Sequence, residues 1–201
     1  MTRPGYQTRN ARPEEWRALG AMLAEAFDDD PVWCWICPDP LRRRRHLGGL
    51  FAQVIRPRVR RGDVLTTDTH QGAAVWAPPG EWKAGPRDAA RCLLPALRAV
   101  GLGPARERLG ALPAMERGHP TGPHWYLEFL AARADLRGRG VGAALMEPMM
   151  ESLAEEGLPA YLESSKYENL AFYHRFGFEV TEEFTIARGC PPLWRMWRQA
   201  V

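Results

Sequence analysis

The sequence predicts an α/β fold of the mixed kind, with strands and helices interleaved around one sheet. Three observations carry this. Val64-Leu-Thr-Thr67 and Ala73-Ala-Val-Trp-Ala77 are strand-like runs joined by Asp68-Thr-His-Gln-Gly72, the pattern of a hairpin. His124 to Ala132 is a long apolar strand, followed by a polar bend, a glycine-rich turn and a helical pattern from Val141 to Glu156. Glu179–Ile186 and Leu193–Arg198 close the chain as two strands, expected to be antiparallel. Too little chain follows Glu163 for two more βα units, so the expectation is a mixed α/β sandwich and not a doubly wound sheet.

The remaining elements follow in order. Tyr6 to Asn10 is a short first strand. A helix opens at Arg12-Pro13, with proline in its first turn and Glu14 and Glu15 at its positive end. Trp16, Leu19, Leu23 and Phe27 recur at helical spacing and form its core face. Asp28-Asp-Asp-Pro31 ends it, and Val32 to Pro38 reads as a loop. A second helix spans Asp39 to Ile55, ended or kinked by Pro57, with Arg42 to Arg45 as a solvated face. Helices over 87–100, with Pro95 inside, and over 105–117 lead to a loop at 118–123. In the helix of 141–156, Leu145, Met149 and Leu153 repeat every four residues, Pro148 predicts a kink, and Gly157 caps the end. Ala160–Glu163 is a strand, and Asn169 starts a short helix that ends at Gly177.

Composition narrows the function. With 201 residues, 45% hydrophobic and 25% charged, the chain reads as one soluble domain, 1–201, long enough for a real core. A net charge of +3 and a pI of 8.8 fall short of a nucleic-acid footprint. No run approaches a membrane span, and the start, Met1-Thr-Arg-Pro-Gly5, has no apolar segment of a secretion signal. A cytoplasmic protein is expected, monomer or homodimer, with neither nucleic acid nor membrane as partner. Trp33-Cys34-x-x-Cys37 has the spacing of a redox motif, but it does not follow a strand in a βαβ unit. Cys92 and Cys190 stand alone, so no metal is expected.

The chemistry concentrates at Leu130 to Leu145. Gly138, Gly140 and Gly142 keep side chains away from a helix entry whose first amides lack partners. The helix dipole and the charges of Arg137 and Arg139 favour an anion there, so the stretch reads as a phosphate-binding turn. Gly138-x-Gly140-x-x-Ala143 also matches the dinucleotide fingerprint, with Glu163 downstream, but residues 133–137 separate the strand from the first glycine.

The spacing Arg137-x-x-Gly140-x-Gly142 resembles the [QR]-x-x-G-x-[GA] signature of the GNAT acetyltransferases. Leu162-Glu-Ser-Ser165, Asn169-Leu-Ala-Phe-Tyr173 and Phe176-Gly-Phe178 resemble the superfamily's second cofactor segment in order and spacing. With Val75-Trp-Ala-Pro78, these runs are most similar to the puromycin N-acetyltransferase-like group. The likeness is strong over 124–180, weaker over 1–80, and too weak over 80–120 to carry residues across. It implies a mostly antiparallel sheet with one parallel, splayed strand pair and helices on both faces.

The resemblance further implies acetyl transfer from acetyl-CoA to a primary amine of a small molecule by direct attack. Two other functions follow from the same fold: acetylation of a protein or peptide amine, and a non-catalytic CoA-binding module. The cofactor would lie along Leu130, Ala131 and Ala132, with its pyrophosphate on Gly138, Gly140, Val141, Gly142 and Ala143 beside Arg137 and Arg139. Asn169 matches a cofactor-contacting asparagine, and doubles as a helix cap. Tyr173 matches the tyrosine that protonates the departing thiolate, though it also fits a core stripe with Leu170 and Phe176. Glu128, given the parity of Leu130 and Ala132, and Glu163 are the candidate bases; many family enzymes use none. The loop after the first helix implies substrate contacts at Asp30, Trp33 and Trp35, an acidic aromatic pocket, with residues 80–120 as a helical insertion near it.

Overall fold

A computed structural model describes residues 5–200. Seven strands form one sheet in the order β1-β2-β3-β4-β5-β7-β6. They are β1 (Thr8–Asn10), β2 (Val64–Thr67), β3 (Gly72–Ala77), β4 (Trp125–Ala132), β5 (Ala160–Ser164), β6 (Glu179–Phe184) and β7 (Leu193–Arg198). Every neighbouring pair is antiparallel except β4 with β5. The predicted hairpin is β2–β3, and the predicted closing pair is β6–β7.

Eight helices accompany the sheet among the described residues: α1 (Trp16–Ala26), α2 (Pro31–Ile36), α3 (Pro40–Arg61), α4 (Pro86–Val100), α5 (Leu102–Ala111), α6 (Pro113–Glu116), α7 (Val141–Glu156) and α8 (Leu170–His174). Alternate β3 residues show which helices take which face. Ala73 and Val75 join a core with α1 to α5, while Ala74 and Trp76 join one with α7 and α8. The helical stripes are as predicted: Leu19 and Leu23 in α1, and Leu145 and Leu153 in α7, are fully buried. No helix among the described residues is long and apolar enough to cross a membrane.

Several elements differ from expectation. Val32 to Pro38 is mostly helix, because the Asp30 carboxylate accepts from the amides of Val32 and Trp33, both at 3.0 Å, and Pro31 occupies the first turn. The helix expected to stop at Ile55 runs through Pro57 to Arg61, closed by Gly62. Helices α4 and α7, by contrast, run through Pro95 and Pro148 as the sequence predicted. The predicted helix of 105–117 divides at Leu112-Pro113. Arg43 is not part of a solvated face: it is buried, bonded to Asp28 and to the Cys37 carbonyl.

The feature that positions the site is the β4–β5 pair. It is hydrogen-bonded in register only at Trp125 to Leu127 against Ala160 to Leu162, and then the strands part. On the other side of β4, the register with β3 shifts between Val75 and Trp76, so that Val75 opposes Phe129 while Trp76 opposes Leu127. Glu128 is the extra residue of this bulge. A bulge bends its strand and raises local twist, and here it coincides with the start of the splay.

Candidate active site

Two clefts meet at the splay. One, of about 910 Å³, lies between the glycine turn, the start of α2 and the segment 165–173. The other, of about 640 Å³, lies between β4–β5, α2, α3 and parts of residues 81–119. Phe27, Asp30, Leu130, Ser165, Asn169 and Tyr173 line both, so the clefts communicate there.

The first cleft is built from the glycine turn. Leu130, Ala131, Ala132 and every residue from Leu136 to Ala143 line it. Gly140 stands at the N-cap of α7 with φ 98°, a left-handed conformation that a Cβ disfavours. The first intrahelical bond runs from Ala144 to the Gly140 carbonyl at 3.0 Å, so the Val141, Gly142 and Ala143 amides precede the ladder. The Arg139 amide is spent on Leu136 at 3.1 Å, which narrows the expected donor set.

The two arginines of the turn divide. Arg137 is held by both Asp29 oxygens at 2.6 and 3.0 Å and by the Ala26 carbonyl at 2.7 Å. It fastens the turn to the end of α1, and its guanidinium keeps Asp29 well below the usual carboxylate range. Arg139 is exposed on the cleft wall. Lys166 and Arg175, which sequence reasoning did not name, line the same cleft. Asn169 is exposed and its side chain caps nothing, so its expected capping role is not seen.

Tyr173 is buried in the wall shared by both clefts. Burial pushes its phenol above the ordinary value, and the nearby Asp30 charge adds to this. The group therefore holds its proton at neutral pH.

The second cleft contains both predicted glutamates. Glu128 does not share a face with Leu130. The bulge turns it toward α3, where Arg58 donates Nε at 3.1 Å and Nη2 at 2.6 Å to the same oxygen, Oε1. Leu130 packs toward the α7 side. The parity argument failed because one inserted residue reverses it. Arg58 was missed, although it continues the buried stripe of Phe51 and Ile55 along α3. A charge on an apolar stripe was the available signal.

Glu163 lies across the splay from Glu128. Its Oε1 accepts from the Tyr161 hydroxyl at 2.9 Å, and its Oε2 is shielded from solvent with no hydrogen-bond partner. Burial raises the pKa of both glutamates; Arg58 partly offsets this at Glu128. Beyond them, Trp82 stacks on His119 at 3.6 Å, and His119 meets Tyr126 edge-on at 4.9 Å. Burial and the neighbouring His124 push His119 down to about 3, so it is neutral.

The expected acidic aromatic pocket is only partly present. Asp30 is buried, and its carboxylate is committed to the α2 cap and to Ser165. Asp28 is paired with Arg43 and Arg44, and Asp29 with Arg137 and Lys166. Trp33 lines the cleft and packs edge-on against Phe51 at 4.7 Å. Trp35, two residues on, turns away from it: its ring lies under the Arg108 guanidinium at 4.0 Å. The segment was read as a loop, and the helix separates the two indoles.

Comparison with known proteins bears on this geometry. The model of the acetyltransferase (GNAT) family matches residues 76–178. An uncharacterised N-acetyltransferase of Schizosaccharomyces pombe is 26% identical over 193 residues, spanning 90% of this chain and 77% of that protein. A solved Corynebacterium glutamicum protein, described as histone acetyltransferase HPA2 and related acetyltransferase, superposes with a TM-score of 0.72. It is 23% identical, with 98% of each chain covered. The PaiA N-acetyltransferase of Thermoplasma acidophilum, solved with coenzyme A, gives a TM-score of 0.56 at 12% identity over 99% of each chain. The structural likenesses show the fold, and the match over 76–178 spans the bulge, the splay and the glycine turn. The chain belongs to the acetyltransferase (GNAT) family.

Proposed function

We propose that the protein transfers an acetyl group from acetyl-CoA to a primary amine of a small molecule by direct attack. The observation that carries this is the meeting of two clefts at the β4–β5 splay, with Tyr173 in their common wall. One cleft offers free helix amides and Arg139 to a pyrophosphate; the other offers buried carboxylates to an amine. The motif runs of 162–178 and Val75-Trp-Ala-Pro78 support a place in the puromycin N-acetyltransferase-like group.

Residues present in the first cleft fit acetyl-CoA. The Val141, Gly142 and Ala143 amides would hold the pyrophosphate, with Arg139 beside them. Beyond Leu127, β4 has no hydrogen-bonded register with β5, so the backbone of Leu130 to Ala132 is available to an extended pantetheine arm. When bound, acetyl-CoA supplies an activated thioester carbonyl. The Ala132 amide would polarise that carbonyl. Tyr173, protonated at neutral pH, would give its proton to the departing sulfur. Glu128 and Glu163 flank the splay on the amine side, where either takes the ammonium proton directly or through one water.

Thiol release from acetyl-CoA, measured against a panel of primary amines with aminonucleosides included, tests the reading. The expected result is amine-dependent release with one acetylated product per thiol. Binding of acetyl-CoA without release for any amine would contradict it.

A further inference from the structure

Among the described residues, one carboxyl oxygen lining the amine-side cleft is buried without a hydrogen-bond partner. Glu163 Oε2 is shielded from solvent and has no hydrogen-bond partner, although the hydroxyls of Tyr161 and Tyr126 stand beside the same carboxyl group. A buried polar atom of this kind is costly and rare, and marks where a ligand donor belongs. Glu128, by contrast, is satisfied: Arg58 places two donors on its Oε1.

Elsewhere the wall of the same cleft carries an apolar stretch. Trp33, Phe129, Leu112, Met115 and Leu193 line it. Trp33 and Phe129 are set edge-on against Phe51 at centroid distances of 4.7 and 5.1 Å, which fixes their orientation. The charges nearer the rim are matched. Arg61 pairs with Glu81, Asp88 pairs with Arg91, and Lys83 lies over the Trp82 ring at 4.9 Å. Glu116 is exposed, where water and salt screen it.

A cleft of about 640 Å³ is of a size that takes a ligand with a ring and a short chain. We infer that the acceptor is a primary amine carried on an uncharged, aromatic-sized apolar body, with its ammonium seated on Glu163 Oε2. This rests on the acetyl-transfer reading above and narrows it. A second positive charge on the acceptor would meet the apolar stretch of Trp33, Phe129 and Met115, while Glu128 and Asp88 of the lining are already paired and Glu116 is screened by solvent, so its desolvation is penalised.

The test compares initial rates of thiol release for 2-phenylethylamine, tryptamine, spermidine and a lysine-containing peptide. The arylalkylamines should show kcat/KM at least ~10-fold above spermidine and the peptide, the scale of discrimination that pocket contacts provide. Glu163→Gln should raise KM for 2-phenylethylamine by ~10-fold or more, as for a lost charged hydrogen bond. The acetyl-CoA melting shift should be unchanged. Met115→Glu, which puts an acid on the apolar wall, should narrow the gap between spermidine and 2-phenylethylamine. Preference for spermidine or the peptide, or an unchanged KM in Glu163→Gln, would overturn the inference and leave acetyl transfer standing. No turnover of any amine, with acetyl-CoA still raising the melting temperature, would overturn acetyl transfer itself.

Discussion

Tyr173→Phe should lower turnover by at least ~10-fold while acetyl-CoA affinity changes little, since general acid help is typically worth ~10²–10⁴-fold. The variant removes one oxygen from a buried ring. That ring packs edge-on against Phe172 at 5.2 Å and Phe178 at 6.3 Å, contacts that phenylalanine keeps. Stability should therefore hold. The hydroxyl is the only part of the side chain with chemistry to lose, and its raised pKa makes it a donor over the whole working range. Steady-state kinetics and a melting curve on the same preparation separate the outcomes. Equal turnover would show that water protonates the leaving sulfur. Parallel losses in turnover and stability would make Tyr173 a core residue alone.

Arg58→Met should be the most destabilising single change at the site. Arg58 is buried and donates to Glu128 and to the Glu81 carbonyl at 2.7 Å. Removing it strands a buried carboxylate, which typically costs about 3–5 kcal/mol. The pH dependence has a definite sign. Burial holds the Glu128 carboxyl above its ordinary value of 4.5, so the folded state binds this proton more tightly than the unfolded one. That contribution is present below 4.5 and lost as pH rises through the folded value. In Arg58→Met the stranded charge disappears when Glu128 is protonated, so the deficit against wild type should shrink in acid and be largest at alkaline pH. Adding Glu128→Leu should recover much of it. Denaturant midpoints across pH check both points; a deficit under ~1 kcal/mol, the scale of an exposed pair, would contradict the account.

Much of the first cleft was legible in the sequence because backbone geometry restricts which residues can stand there. The left-handed N-cap of α7 calls for glycine, and Gly140 supplies it. The order of strand, turn and helix then placed Leu130 to Ala132 and Leu136 to Ala143 on one cleft. The second cleft was less legible because it depends on long-range placement. The Glu128 bulge leaves no local signature, and it reversed the expected facing of that residue. The signal for α2 was present in Asp30-Pro31, an N-cap followed by proline, but it was read as the end of α1. Arg137 has the residue type of a phosphate ligand, yet Asp29, 108 positions away in sequence, holds it. The stack of Trp82 on His119 joins two loops whose meeting no spacing could reveal.

The central claim is that the turn before α7 holds the pyrophosphate of acetyl-CoA, and thermal melting with the cofactor tests it most directly. At 100-fold excess over Kd, binding to the folded state alone contributes about 2.7 kcal/mol. For a chain of this length that corresponds to a rise of about 5–10 °C. Gly140→Val should abolish the rise while the variant still melts cooperatively. Gly157→Val is the control: it strains a left-handed position of the same kind, φ 63°, at the other end of the same helix. It should keep the full rise. The account predicts a shift in wild type and Gly157→Val and none in Gly140→Val; an equal shift in all three, or a larger one with NAD than with acetyl-CoA, would contradict it.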